Sequence, residues 1–168
     1  FALLSNLNKN SYFCYYTGIY LHNLTEHIPK VFYINVEQTP KAVNVDNLLV
    51  QDKIDIAFKN KPRTTNNIAE YRNHQIYLIS GKASNNLGVM ELTKDNTTIK
   101  VTDLERTLLD ATVRPEYSGG IFEVMKAYEK AAEKISVNKL FEYLQKMNYL
   151  YPYHQCIGFY LERTNKFN

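Results

Sequence analysis

The stretch VTDLERTLLDATVRPEYSGG at residues 101–120 decides the fold, because it contains a helix start, an apolar stripe and a stop. Thr102 and Glu105 have the spacing of a capping box, in which each residue satisfies a free donor at a helix start. The apolar positions recur at i, i+4 and i+7, the spacing of one buried helix face, and are Leu104, Leu108 and Ala111. Pro115 cannot continue a helix, and the residue before a proline resists helical geometry. The stretch therefore predicts a helix of about three turns that ends before Pro115.

Five ionisable residues crowd this predicted helix: Asp103, Glu105, Arg106, Asp110 and Arg114. In a functional interpretation, two arginines oriented by carboxylates bind a phosphate or a partner's acidic side chain. In a structural interpretation, the carboxylates near the helix start complement its dipole. Arg106 then pairs with Asp110 four residues on, and Arg114 pairs with a carboxylate of the sheet, which fixes the helix in place. We favour the structural interpretation.

The amino-acid composition limits the classes of protein to which the chain can belong. A chain of 168 residues with 45% apolar and 22% charged residues corresponds to one globular domain and excludes disordered and fibrous classes. The net charge of +3 permits contact with nucleic acid but does not require it. Two cysteines without a CxxC motif, and the absence of a signal peptide or an apolar run of membrane-spanning length, lead us to expect a cytoplasmic protein with reduced thiols.

The remainder of the chain predicts an α+β fold, with an N-terminal helix and a small, mainly antiparallel sheet followed by a C-terminal helical bundle packed on it. We predict that the first helix is capped by Ser11. β-branched and aromatic runs predict the strands Val31–Val36, Leu48–Lys59, Glu70–Ile79, Val89–Thr93 and Thr98–Val101. Beyond residue 120, three helices are predicted, with boundaries at Gly119-Gly120, Ser136 and Pro152.

No signature of a known enzyme class is present, since the chain lacks a P-loop, GxGxxG, GxSxG and HExxH. The four histidines are scattered without metal-ligand spacing, so we predict no catalytic residue, no metal and no cofactor. One alternative remains. Asp55 on its predicted strand, followed by Lys59, is similar to the carboxylate and lysine of metal-dependent nucleases. With carboxylates such as Asp103, it would hold a divalent ion for a nuclease or nucleotidyltransferase reaction.

Two surface features carry weaker hypotheses. Basic residues recur at Lys59, Lys61, Arg63 and Arg72, which either form a patch for phosphates or simply keep the surface soluble. Tyrosines also recur, and these either form an interaction surface or line the edge of the core; they are Tyr15, Tyr16, Tyr149, Tyr151 and Tyr153. A pure interaction module is accordingly a third reading of the chain.

Three runs of the sequence resemble the AbiEi-type antitoxin C-terminal domain. The central run is 101–120, which contains the family-like VTDLERTLLDA and RPEYSGG. The run YLHNLTEHIPKVFYI at 20–34 is similar to the family's LHGLT…P step into its first strand, with Asn23 where the family has glycine. The run IGFYLE at 157–162 is similar to the family's RLGYLLE, with Cys156 where its arginine stands. The runs occur in the family's order and span most of residues 1–168.

The resemblance implies a bacterial antitoxin of a type IV toxin–antitoxin, abortive-infection system that acts in phage defence. Such a protein neutralises a nucleotidyltransferase-like toxin, without necessarily contacting it, and represses transcription of its own operon. The family binds operator DNA through an N-terminal winged-helix domain. We interpret residues 1–9 as the end of that preceding domain and residues 1–168 as the C-terminal, non-enzymatic domain.

Overall fold

The described residues form a six-stranded sheet, with two helices between strands in the first half of the chain and a group of helices after the last strand. The computed structural model describes residues 1, 4, 9–40, 50–60, 62–164 and 166–167. The strands are β1 (Tyr12–Phe13), β2 (Val31–Glu37), β3 (Ile68–Tyr71), β4 (His74–Gly81), β5 (Val89–Lys94) and β6 (Thr97–Thr102). The helices in these ranges are α1 (Tyr15–Leu21), α2 (Gln51–Lys59), α3 (Leu104–Val113), α4 (Ile121–Ala131), α5 (Val137–Met147) and α6 (Tyr153–Glu162), with a 3₁₀ turn at Pro115–Tyr117. The predicted α+β class is confirmed.

The sheet has the strand order β3-β4-β2-β1-β6-β5. The β1–β2, β3–β4 and β5–β6 pairs are antiparallel, whereas β2–β4 and β1–β6 are parallel. The two-residue strand β1 joins the two halves of the sheet, because Phe13 lies opposite both Ile34 of β2 and Val101 of β6. These three side chains are buried in the core of the sheet, so a very short strand is held by packing on both sides.

Helix α3 occupies the centre of the helical half. Every residue from Glu105 to Thr112 is buried, including the polar side of the helix. Its apolar side chains pack in one core with residues of the other helices, among them Ile19, Val124, Tyr128, Leu140 and Ile157. The sequence predicted an apolar stripe with a charged face; instead, the charged face is covered as well, by α5 and the loop before β5.

The start of α3 differs from the predicted capping box. Asp103 is the N-cap, and its Oδ1 accepts a hydrogen bond from the backbone N–H of Arg106 at 2.9 Å. Thr102 is the last residue of β6, and its hydroxyl lies 2.7 Å from that of Thr107. Glu105 accepts a hydrogen bond from the backbone N–H of Ser136 at 2.9 Å. The box is displaced because Thr102 completes the strand, which leaves the next residue to cap the helix.

One strand prediction in the first half is wrong, and a second is right only at its centre. Residues 51–59 of the predicted strand Leu48–Lys59 form α2, and residues 48 and 49 lie outside the described residues. Gln51 donates a hydrogen bond to Asp55 at 2.8 Å, a pairing that the i, i+4 spacing of a helix permits and alternation along a strand does not. The predicted strand Glu70–Ile79, centred on residues 75–79, is confirmed at its centre, which lies in β4; its first residues belong instead to the end of β3 and to the turn, where Arg72 has φ 54°.

The first helix also begins later than predicted. Ser11 is not its N-cap, because Tyr12 and Phe13 are drawn into the sheet as β1 and Cys14 occupies the N-cap position of α1. The later helix boundaries follow local signals. Gly120 at φ 90° precedes α4, the hydroxyl of Ser136 accepts the N–H of Lys139 at the start of α5, and Pro152 precedes α6. Within the described ranges, no helix has the length and apolar character needed to cross a membrane.

Candidate functional site

The predicted charged cluster does not form one open site. Asp103 and Glu105 converge on Lys139 of α5, whose Nζ lies 3.0 Å from Asp103 Oδ2 and 2.9 Å from Glu105 Oε2. The Tyr143 hydroxyl donates to Asp103 Oδ2 at 2.8 Å. Burial opposes the charge of Lys139, but the two carboxylates outweigh that effect and raise its pKa. These carboxylates are therefore occupied in fastening α5 to the start of α3.

Arg106 and Asp110 form a buried ion pair, as predicted. The distance from Arg106 Nε to Asp110 Oδ1 is 2.8 Å, and the two residues are 3% and 5% exposed. Burial raises the pKa of Asp110, an effect that Arg106 opposes. Burial also opposes the charge of Arg106, but Asp110 more than offsets this and the pKa of the guanidinium is raised. Arg106 therefore stays charged in the core.

The guanidinium of Arg106 also anchors the loop at residues 82–88. It donates to the Leu87 carbonyl at 2.7 Å and to the Ser84 hydroxyl at 3.0 Å. Gly88, the last residue of this loop, has φ 70°, and a Cβ there would lie 2.8 Å from Arg106 Cβ. Only glycine combines that backbone conformation with so close an approach to α3.

Glu37 at the end of β2 holds the same loop from the other side. Its carboxylate accepts hydrogen bonds from the Ser84 N–H at 2.8 Å, the Ser84 hydroxyl and the Tyr12 hydroxyl at 3.1 Å. Burial raises the pKa of Glu37, but the hydrogen bonds from Ser84, Asn86 and Tyr12 outweigh it, and the net pKa is lowered. Glu37, Ser84, Arg106 and Asp110 thus form a continuous polar chain from the sheet to α3.

We expect Glu37 to make stability depend on acid pH. A carboxyl whose pKa is lower in the folded protein stabilises it above the unfolded-state pKa, and this contribution is lost as pH falls through the folded-state pKa. Wild type should therefore melt above Glu37→Gln at pH 7, and the difference should shrink progressively below about pH 4. Thermal melts from pH 7 to pH 3 measure it. Glu70→Gln, at an exposed strand position, is the matched control and should show no such closing gap.

A cleft of about 830 Å³ lies where the sheet meets the helical half. Its walls are the end of β4 with Lys82, the loop before β3, the end of α3 and the segment between α5 and α6. Tyrosines are its most prominent lining side chains, namely Tyr15, Tyr117, Tyr149, Tyr151 and Tyr153. The rings of Tyr149 and Tyr153 meet edge to face at 5.3 Å, as do those of Tyr15 and Tyr117. The cleft is large enough for a small organic ligand.

The cleft is positively charged. Four cationic side chains line it: Arg63, Lys82, Arg114 and Lys146. No aspartate or glutamate is among the described residues of its lining, although Lys146 pairs with Glu142 just outside at 2.5 Å. Arg114 donates to the Arg63 carbonyl at 2.8 Å and not to a carboxylate of the sheet, which corrects the predicted pairing. Burial lowers the pKa of Lys82, whose ammonium lies 5.1 Å from the ring centre of Tyr149.

Tyr15 is a strained residue in the cleft wall. It has φ 52°, a left-handed conformation that is an outlier for a bulky side chain and costs about 1–3 kcal/mol. Its ring packs between Tyr117, at 5.3 Å, and Tyr33, at 6.3 Å. The aromatic packing of the cleft therefore holds a backbone conformation that the local sequence disfavours.

The residues of the predicted basic surface lie on different elements. Among those that the structure describes, Arg63 lines the cleft. Lys59 ends α2, Arg72 lies in the β3–β4 turn with its guanidinium 5.3 Å from the Tyr71 ring centre, and Lys61 lies outside the described residues. Asp55 lies on α2 and not on a strand, and no group of three potential metal ligands occurs among the residues the structure describes. The strand geometry behind the enzyme hypothesis is therefore wrong.

Two residues of the charged cluster were missed from the sequence. Lys139 and Tyr143 contact Asp103 across 36 and 40 positions of the chain. Lys82 follows the predicted basic residues along the chain, but its place in the cleft depends on tertiary packing. No local signal links such distant positions. The recurring tyrosines were the available clue to the cleft, because all five cleft tyrosines lie in the Tyr-rich runs or in the central run.

Comparisons with known proteins do not extend this description. A scan against protein-family models finds no match to the chain, and a search of curated protein sequences finds no significant relative.

Proposed function

We propose that the chain is the antitoxin-type regulatory domain of a bacterial transcriptional regulator. In this proposal the protein acts in the cytoplasm, neutralises a nucleotidyltransferase-like toxin and contributes to repression of its own operon. Operator DNA is contacted through a winged-helix domain that precedes the chain. The domain itself performs no catalysis.

The observation that carries the proposal is the convergence of the three family-like runs. His22 of the first run has its Nε2 2.7 Å from the carbonyl oxygen of Thr102 in the central run. Ile157 of the last run is fully buried in the same core as Leu108 and Leu109 of the central run. Runs that are far apart in the chain thus pack against one another, as expected if they belong to one family signature.

A departure from the family pattern also has a physical explanation. Asn23 stands where the resemblance places glycine, and its φ is 57°. Asparagine is among the few residues other than glycine that visit this left-handed conformation routinely. The chain therefore has, at this position, a backbone conformation that glycine also adopts readily, so the substitution is compatible with the resemblance in this run.

Co-expression with the toxin tests the proposal. The full-length protein is induced together with a nucleotidyltransferase-like toxin encoded beside it, and colony counts are compared with those of the toxin alone. A promoter reporter measures repression in the same strain. We expect the protein to restore growth and to lower reporter output. A truncation that leaves only the preceding DNA-binding domain should retain promoter binding and lose rescue.

The outcomes separate the alternatives. Unchanged toxicity and unchanged reporter output in the presence of well-expressed, folded protein would contradict the proposal. Rescue without repression would retain the antitoxin assignment and remove the regulatory one. Calorimetry with Mg²⁺ and Mn²⁺ provides an independent check, since the enzyme alternative requires heat that Asp55→Ala abolishes.

A further inference from the structure

We infer that the tyrosine-lined cleft binds a nucleoside phosphate: an aromatic base bearing one or more phosphate groups. The inference concerns a ligand site beyond the proposed antitoxin function and does not depend on it. It rests on three properties of the cleft: the positive charge of its described lining, its aromatic side chains and its shape.

The positive charge of the cleft favours an anionic ligand. Arg63, Lys82 and Arg114 have no carboxylate within ion-pair distance among the described residues, whereas Lys146, the fourth cation of the lining, pairs with Glu142. Two arginines offer the forked donors that match phosphate oxygens, and Lys82 adds a partly desolvated ammonium. A phosphate bound there would neutralise positive charge that no carboxylate of the described residues pairs with.

The aromatic side chains of the cleft favour a ligand that carries a planar group next to the anion. Tyr151 and Tyr153 are half-buried, so their rings keep accessible area in the cleft, and Tyr149 lies against Tyr153. Tyrosine rings interleaved with cations are the combination by which proteins hold nucleotides, since the base stacks while the cations take the phosphate. Gln38 and Thr64 add polar side chains to the lining, and the Gln38 amide is held in place by donating to the Ser80 carbonyl at 2.6 Å.

The shape supports a preformed site. The volume of about 830 Å³ is within the range of small-molecule sites. Tyr15 at φ 52° and Asn148 at φ 43° place two left-handed residues on its walls. Asn148 lies at the end of α5, where its carbonyl accepts a hydrogen bond from Lys82 at 2.8 Å and so positions the ammonium.

Titration calorimetry of the purified protein tests the inference. The probes are ATP, adenosine, inorganic triphosphate, a single-stranded decanucleotide and a duplex of the same sequence, each at low and high salt. We expect ATP to bind more tightly than adenosine or triphosphate, because only ATP uses both the rings and the cations. The affinity should fall as salt rises.

Substitutions of the lining side chains locate the site. Lys82→Gln and Arg114→Gln should each weaken ATP binding by at least about tenfold, the loss expected for one charge-assisted hydrogen bond. Tyr153→Leu should bring the ATP affinity close to that of triphosphate while leaving triphosphate binding unchanged. Lys126→Gln, a cation of α4 that does not line the cleft, is the matched control and should bind as wild type. Melting curves of each variant verify that the fold is intact.

The outcomes are decisive in either direction. ATP binding that depends on Lys82 and Arg114 supports a free nucleotide as ligand. Binding of the single strand alone, with the same dependence, supports the same chemistry at a nucleic-acid strand. No binding of any mononucleotide or strand, binding of duplex only, or equal loss in Lys126→Gln would overturn the inference. A failed rescue assay would leave each of these results unchanged, so the two proposals fail separately.

Discussion

Asp110→Ala is expected to lower the free energy of unfolding by about 3–5 kcal/mol, the cost of breaking a buried ion pair by removing one partner. The substitution leaves the guanidinium of Arg106 charged at 3% exposure, with the Ser84 hydroxyl and the Leu87 carbonyl as its remaining partners in the described part of the chain. Arg106 cannot respond by losing its proton, because arginine remains protonated in proteins. Equilibrium denaturation with urea measures the change.

The matched control is Glu142→Ala on α5. Glu142 pairs with Lys146 at the same i, i+4 spacing, but both side chains are more than half exposed, at 55% and 56%. Exposed pairs of this kind contribute about 0.3–0.5 kcal/mol. A second control is Arg106→Met combined with Asp110→Leu. Removing both charges together should recover most of the loss, because neither leaves the other buried without a partner. Equal destabilisation by Asp110→Ala and Glu142→Ala would contradict the account.

The second large effect is expected for Leu108→Ala, at about 2–5 kcal/mol. Leu108 is fully buried at the centre of α3 and belongs to the core that α1, α4, α5 and α6 share. Alanine is the better helix former, so local propensity would favour the variant slightly. Any decrease in the free energy of unfolding is therefore caused by the cavity and by the lost burial of the leucine side chain.

Thermal and urea melts measure the stability of Leu108→Ala, and Leu150→Ala is the control for truncating an exposed leucine. Leu150 is 55% exposed, and its truncation should change stability by about 0.5 kcal/mol or less. If the Leu108 variant were no less stable than the Leu150 variant, α3 would not be the centre of the helical core. The unfolding transition should be a single one, since α3 is in contact with both halves of the chain.

The parts of the fold that could be predicted are those that local chemistry determines. Pro115 ends α3, Ser136 caps α5 and Pro152 precedes α6, because each acts through its own backbone or side chain. The strand Val31–Val36 was predicted nearly to its ends for a similar reason: β-branched and aromatic residues suit a half-buried sheet.

The errors in predicting the fold have two causes: tertiary packing that no local rule predicts, and an apolar spacing that fits both a strand and a helix. Tyr12 and Phe13 are drawn into the sheet between β2 and β6, which no local rule predicts. The alternation around Ile54 and Ile56 fits a strand, but the segment is a helix with Asp52 in its first turn and Lys59 in its last. Those end charges suit the helix dipole and were the available signal.

In the candidate site, too, the local interactions could be predicted from the sequence and the tertiary ones could not. The Arg106–Asp110 pair could be predicted because its spacing is local to one helix. The cleft could not, since Arg63, Lys82 and Arg114 come from three separate segments and meet the tyrosines only through the fold. Residue types alone suggested basic and aromatic surfaces without showing that part of each lines one cavity.

The central claim is that the segment 101–120 is the scaffold of the domain and not its contact surface. The most direct test is growth rescue by full-length protein that carries Arg106→Met and Asp110→Leu together, measured by colony counts during toxin induction at a temperature where the variant is folded. The account predicts that the variant rescues growth as wild type does. Loss of rescue at an unchanged melting temperature would contradict it, because the buried pair would then have to act on a partner.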